Sequence, residues 1–214
     1  MMKREKLPVI IIGGGGHAKV VADVLKLNNY PIVGIVDCNG PEGLKIKDIP
    51  YLGTDDAVFQ YLPQSILLAN GVGSIGSTER RESVFNFFQG KDYHFVKVVH
   101  PSSVIAADVI MGEGVQVMAG AVIQPGSILG CNVVINTRAS VDHDCNIGNH
   151  THIAPGAILS GGVQVESGVH IGTGAVVLQG TYIGEQAVVG AGTVVIQDVL
   201  PHSTMVGVPA RLVK

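Results

Sequence analysis

Ser103 to Asp198 reads, in blocks of six, SVIAAD, VIMGEG, VQVMAG, AVIQPG, SILGCN, VVINTR, ASVDHD, CNIGNH and on to AVVGAG and TVVIQD, sixteen rows without an insertion. The third position of each row, from Ile105, Met111 and Val117 to Val195, is a large apolar residue, and the first is always Ser, Thr, Val, Ala or Cys. A period of six matches neither the turn of a helix nor the alternation of a simple amphipathic strand. It matches short strands joined by tight corners, with the third position pointing into a narrow interior. Rows that pair along the axis then rise by ~4.8 Å per coil, the spacing of hydrogen-bonded strands. The stretch is predicted to be a parallel β-helix.

Upstream the pattern is different. An apolar run, Val9–Ile12, meets four glycines, Gly13–Gly16, and then a helical pattern from about His17 to Leu27. A second strand, Ile32–Val36, ends at Asp37, and further candidates are a strand Ile66–Ala69, a helix around Glu79–Phe88 and a strand Phe95–Val99. Residues 1–99 are read as a small α/β, Rossmann-like domain and 100–214 as the β-helix domain, joined near His100-Pro101.

Composition narrows the function. An apolar share of 46% is enough for an ordinary core. A net charge of -3, only 14% charged residues and no cluster of Lys and Arg remove the electrostatic footprint of a nucleic-acid binder. The three cysteines, Cys38, Cys131 and Cys145, lack the paired spacing of a zinc site and leave one over in any disulfide framework, which suits a reducing cytoplasm. Met1–Lys6 is basic, but the apolar run after it is too short for a secretory core or a membrane span, so a soluble cytoplasmic protein is expected.

Glycines between a strand and a helix let a phosphate approach the backbone, and the helix start offers free N–H groups and a partial positive charge. Gly13-x-Gly15-x-x-Ala18 followed by Asp37 superficially matches a dinucleotide fingerprint. About one hundred residues hold one mononucleotide half, so a nucleotide diphosphate carrying a sugar is the preferred ligand. Asp37 is then placed to accept hydrogen bonds from ribose or base; the plain alternative is a solvated turn carboxylate.

The repeat is similar to that of the hexapeptide-repeat acyltransferases, whose triangular prism has three rows per coil and is left-handed; the period itself carries no handedness. The whole chain resembles the bacterial sialic acid O-acetyltransferase family, which includes the nucleotide-activated amino-sugar N-acetyltransferases. The matching segments are IIIGGGGHAKVVADVL, GIVD, LANGVGS with Arg80-Arg81 downstream, VHPSSVIA, NTRASVDHDCNIG and VGVPAR. The resemblance implies that the first domain binds the sugar nucleotide through Gly15, Gly16, His17, Asp37 and Gly73. Cys38 stands where many relatives carry a second acidic residue, which leaves base and sugar open.

The row ASVDHD, which sets His143 between Asp142 and Asp144, is the outstanding polar interruption of the repeat. An amine attacks a thioester only as its free base, and an imidazole with a pKa near ~6.5 suits the removal of its proton. The resemblance makes His143 the general base and Asp144 the carboxylate behind it, places Asn136 near the reacting group, and puts acetyl-CoA contacts at His152, Thr173 and Ala191. Asp142 is expected to cap the turn. At eighteen residues per coil, Gly161 lies one coil beyond His143, where its N–H suits a developing oxyanion. His152 and His170 are likewise one coil apart, but the spacing of His143, His150 and His152 is not that of the zinc-dependent carbonic anhydrases on this fold, so no metal is expected. Arg211 suits a coenzyme phosphate or plain solvent equally. The family assembles as trimers with active sites between subunits, so a homotrimer is expected.

The leading expectation is acetyl transfer from acetyl-CoA to the 4-amino group of a nucleotide-linked 4-amino-6-deoxy sugar, by direct attack. An O-acetyltransferase acting on sialic acid or its nucleotide, and a non-catalytic protein that only binds a nucleotide sugar, are the two alternatives.

Overall fold

The computed structural model describes residues 6–46 and 48–213. Of the basic opening Met1–Lys6, all but Lys6 lies outside the described residues. The chain divides into two compact units. One comprises the described residues up to Gly73 together with Ser83–Val98; the other takes Ser74–Glu82 and continues from Val99.

In the first unit, β1 (Val9–Ile12), β2 (Ile32–Val36), β3 (Tyr51–Gly53) and β4 (Leu67–Asn70) form a parallel sheet in the order β3-β2-β1-β4. β1 is central and buried throughout, as a strand covered on both faces must be. Helix α1 (Gly16–Leu27) returns against the sheet on Ala18, Val21, Ala22, Val24 and Leu25, an i, i+3, i+4, i+7 stripe. The second helix, α2, runs Glu79–Gln89. Two readings of the sequence need correction. β3 was not foreseen, because it is only three residues long and meets β2 through a register shift. Phe95–Val99 is not one strand: Phe95 makes an isolated bridge to Leu68, and only Val98–Val99 is extended ladder.

The second unit is a parallel β-helix of two-residue strands in three sheets, with partners eighteen residues apart, as in Val134↔His152↔His170↔Val188. Third-position residues such as Leu129, Ile135, Val141, Ile153 and Ile171 fill the interior. The first positions point inward too, which explains their restriction to small residues. Two buried hydroxyls there are paired to backbone: Ser127 Oγ donates to the Asp142 carbonyl at 2.9 Å and Thr151 Oγ1 to that of Glu166 at 3.0 Å, whereas Thr193 Oγ1 has no partner among the described residues. Every sixth residue from Gly114 to Gly192 has positive φ, and five of these are not glycine: Asn132, Arg138, Asp144, His150 and Gln186. These residues turn the corners.

Inward and outward neighbours on one strand should differ sharply in energetic weight. Leu129→Ala removes buried methyls and should cost about 2–5 kcal/mol, whereas Ile128→Thr, on a side chain 44% exposed, should change stability by under ~0.5 kcal/mol. Urea unfolding of the two variants measures the contrast.

Candidate active site

His143 and Asp144 occupy the corner that follows the strand Ser140–Val141. Asp142 Oδ1 accepts the His143 backbone N–H at 2.8 Å and so caps the turn. Asp144 sits in the left-handed region at φ 58°, one of the few conformations of this kind that aspartate tolerates well. That conformation brings its Oδ2 to 2.8 Å from His143 Nδ1. A carboxylate only accepts, so Nδ1 carries the proton and Nε2 keeps its lone pair. The hydrogen bond to Asp144 raises the imidazole pKa above its ordinary value; desolvation opposes it, and the charges of Asp142 and Asp144 add lesser upward effects. The His143 side chain is 54% exposed and accessible to a substrate.

Gly161, one coil on, lies directly under this ring: a Cβ there would stand 2.5 Å from His143 Nε2 and 2.6 Å from Cε1. Any side chain would displace the imidazole. Gly161 is buried, and its N–H donates to no group among the described residues.

Asn136, Thr173 and Ala191 belong to a different corner. The bonds Gly156 N–H to Thr137 O, Gly174 N–H to Pro155 O and Gly192 N–H to Thr173 O, at 2.9–3.0 Å, stack residues 137, 155, 173 and 191 in one column. Thr173 and Ala191 are exposed along it. His143 and Gly161 form another column, through Gly162 N–H to His143 O and Gly180 N–H to Gly161 O. Within one chain these columns are opposite edges of the sheet that contains Ser140–Val141.

His152 is 6% exposed, and both ring nitrogens are engaged: Nδ1 lies 2.6 Å from Ser74 Oγ and Nε2 lies 3.0 Å from Asn136 Nδ2. The His170 ring packs edge-on against it at 5.1 Å between centroids. His170 is buried, which pushes its pKa down. No group of three or more His, Cys, Asp or Glu among the described residues is arranged to hold a metal ion. Arg211 Nη1 donates to the carbonyl of its own neighbour Ala210 at 2.9 Å.

Three residues of this unit were not singled out as site residues from sequence: Ser74, Thr78 and, within the noted pair Arg80-Arg81, the buried Arg81. Thr78 Oγ1 donates to the Gly168 carbonyl at 3.0 Å, and Arg81 Nη2 donates to Asn132 Oδ1 at 2.8 Å. Arg81 is 1% exposed, and desolvation lowers its pKa to about 9, which leaves it charged at neutral pH. The only sequence signal was the i, i+3 spacing of Thr78 and Arg81, which puts them on one helical face.

In the first unit, the named residues converge at the carboxyl ends of β1, β2 and β4, where open α/β sheets bind their ligands. Gly15 caps α1, and the helix begins without an acidic residue or side-chain cap. Space is open at the Cβ positions of both Gly15 and Gly16. A Cβ on Gly73 would touch that of His17 at 3.3 Å, so these two residues are packed together. Asp37 is already in use by the chain: Oδ2 accepts Gly14 N–H at 2.6 Å, and Oδ1 accepts the backbone and side-chain N–H groups of Asn39 at 2.8 and 2.9 Å. It ties the end of β2 to the glycine turn. No helix is long and apolar enough, among the described residues, to cross a membrane.

Comparison with known proteins agrees with this architecture. Residues 8–88 match the family described as PglD N-terminal domain. UDP-N-acetylbacillosamine N-acetyltransferase of Bacillus subtilis is 34% identical over 113 residues, 52% of this chain and 51% of that enzyme, so the match spans about half the length of each. The crystal structure of PerB from Caulobacter crescentus in complex with CoA and GDP-perosamine is 37% identical, with a TM-score of 0.89 over 97% of both chains. The acetyltransferase domain of PglB from Neisseria gonorrhoeae, in complex with acetyl coenzyme A, is 32% identical, with a TM-score of 0.88 over 97% of this chain and all of that one. At such identity over nearly the whole length, the chain belongs to the nucleotide-sugar N-acetyltransferases of the hexapeptide-repeat acyltransferase family.

Proposed function

We propose that the protein transfers an acetyl group from acetyl-CoA to the 4-amino group of a nucleotide-linked 4-amino-6-deoxy sugar, with His143 as general base. The observation that carries this reading is the His143–Asp144 pair laid over Gly161, whose N–H donates to no group among the described residues. It supplies a proton acceptor with a fixed tautomer, a carboxylate that stabilises the imidazolium, and an amide donor within reach of the same spot. The complexes of PerB with CoA and GDP-perosamine and of the PglB domain with acetyl coenzyme A support the choice of co-substrates.

In the reaction, the amine attacks the thioester carbon while Nε2 of His143 takes one of its protons. The carbonyl oxygen becomes an oxyanion, to which Gly161 N–H donates. Collapse expels the coenzyme sulfur, which receives the proton back from the imidazolium, so CoA leaves as the thiol. No acyl-enzyme is formed. Asn136 contacts the reacting groups, and the coenzyme runs along the column of Thr173 and Ala191 beside His152. Gly15, Gly16, His17 and Gly73 surround the nucleotide diphosphate, with Asp37 shaping the turn and retaining acceptor capacity for ribose or base.

The protein is proposed to work as a homotrimer, a reading that the separation of the two columns supports. His143 and Gly161 occupy one edge of the prism and Thr173 and Ala191 another, so a base from one copy meets the coenzyme ridge of a second when two edges are apposed. The reaction is placed in the cytoplasm, with acetyl-CoA as its donor.

Two experiments test the proposal. Purified protein should release CoA with at least one 4-amino sugar linked to UDP, GDP or dTDP, and His143→Ala should lower turnover by about 10²–10⁴-fold; no CoA release with any of them, or acetylation of sialic acid in preference, overturns it. Because the base works only when neutral and its pKa is raised, kcat/KM should fall as pH drops through an apparent pKa above 6.5. Asp144→Asn keeps the left-handed corner but loses the carboxylate, so that inflection should move to lower pH, as read from the pH–rate profile.

A further inference from the structure

Asn136 fixes the proton on His152. Thr137 N–H donates to Asn136 Oδ1 at 2.7 Å. A backbone N–H is always a donor, so the amide oxygen is identified and Nδ2 is the atom that faces His152. An amide nitrogen donates, so His152 Nε2 must accept, and the neutral ring carries its hydrogen on Nδ1. That N–H donates to Ser74 Oγ across 2.6 Å. A ring protonated on both nitrogens would set donor against donor at Asn136.

We infer that Ser74 is a positioning residue: by accepting the Nδ1–H of His152 it holds that ring with a bare Nε2, which takes one Nδ2–H of Asn136 and presents the other to an oxygen acceptor on the bound substrates. The chain of four groups runs Ser74, His152, Asn136, Thr137, and each member admits one polarity once the last is fixed. Asn136 therefore turns a donor toward the ligand. Its second N–H has no partner among the described residues, and the residue is only partly buried.

Ser74 is itself held. The segment that follows it is pinned by Thr78 on the Gly168 carbonyl and by buried Arg81 on Asn132, seventy-eight residues being spanned by the Ser74–His152 bond itself. A site hydroxyl is thus supplied from outside the repeat. His170, packed edge-on and held toward its neutral form by burial, adds no second cation beside His152.

This inference rests on the proposed acetyl transfer for its kinetic consequence but not for its geometry, and the two are separable. In protein labelled with ¹⁵N-histidine, long-range proton–nitrogen correlation spectra should show His152 with a protonated Nδ1 and a bare Nε2. Ser74→Ala leaves Asn136 to keep the proton on Nδ1 but removes the acceptor that tethers the ring, so kcat should fall about tenfold, the scale of one hydrogen bond, with a smaller change in KM. Ser74→Thr, which keeps the hydroxyl, should restore both. Asn136→Asp, whose carboxylate only accepts, should move the proton to Nε2 without touching Ser74, and serves if Ser74→Ala fails to fold. A wild-type His152 protonated mainly on Nε2, a spectrum unchanged in Asn136→Asp, or a kcat unchanged in Ser74→Ala overturns the relay. The expected spectra in a protein that acetylates no amino sugar would uphold the relay and overturn the proposed function.

Discussion

The left-handed corner residue at every sixth position is the constraint from which the β-helix follows. From Asn132 to Gly192 the corner residue with positive φ donates its N–H to a carbonyl of the coil before it, as Asp144 does to Pro125, His150 to Cys131 and Gly168 to Asn149, at 2.8–3.0 Å. The strands of two residues are too short to hold a sheet by themselves. Their register is set because the corners lock at eighteen-residue intervals. A glycine pays no steric penalty there, and Asn and Asp pay little. The same geometry makes the candidate catalytic pair: consecutive residues in a strand point to opposite faces, but a left-handed residue folds its side chain back beside its predecessor, and so Asp144 meets His143.

The outer faces of the prism differ in what covers them. Ile110 and Ile128 are exposed on one sheet, whereas the equivalent outward positions Gln116, His152 and His170 on another are buried. The segment Ser74–Glu82 bonds to residues of that second sheet and its corners, through His152, Gly168 and Asn132. Burying Arg81 there carries a desolvation cost, offset by the charge-assisted bond to Asn132. Asn132 has both ends of its amide engaged, the oxygen by Arg81 and the nitrogen by His150 Nδ1 at 3.0 Å. The arrangement specifies one placement of the segment, because sliding it would strand a buried guanidinium.

How far the sequence could be read depends on whether an interaction is periodic. Leu129, Ile135 and Gly161 could be placed before any coordinates because their position is residue number counted in units of eighteen. The pairing of His143 with Asp144 was readable because the two are adjacent. Ser74, Thr78 and Arg81 were not, since their partners lie 51 to 90 residues away in sequence and no period links them. β3 escaped for a related reason: a three-residue strand with a glycine at its end has no repeat to betray it. For Asp37, sequence reasoning offered a turn carboxylate as the plain alternative but not its partners, Gly14 and Asn39, which bond to its two oxygens.

Four histidines of the β-helix differ in environment, and one alone has what the proposed base requires. His170 is buried, with no hydrogen-bond partner on Nδ1 among the described residues, and desolvation lowers its pKa. His150 is lowered chiefly by burial, with Glu82 and Arg81 pulling in opposite directions, and its Nδ1 faces the amide of Asn132. His152 is closed on both nitrogens by Asn136 and Ser74. His143 alone among the four combines a carboxylate on Nδ1, exposure to solvent and a raised pKa. Its Nε2 therefore carries a lone pair that the described residues leave open, over a glycine where any side chain would displace the ring. Chemistry at this corner is a consequence of environment: the residue type recurs along the prism, whereas the acid behind it and the bare backbone below it occur together once.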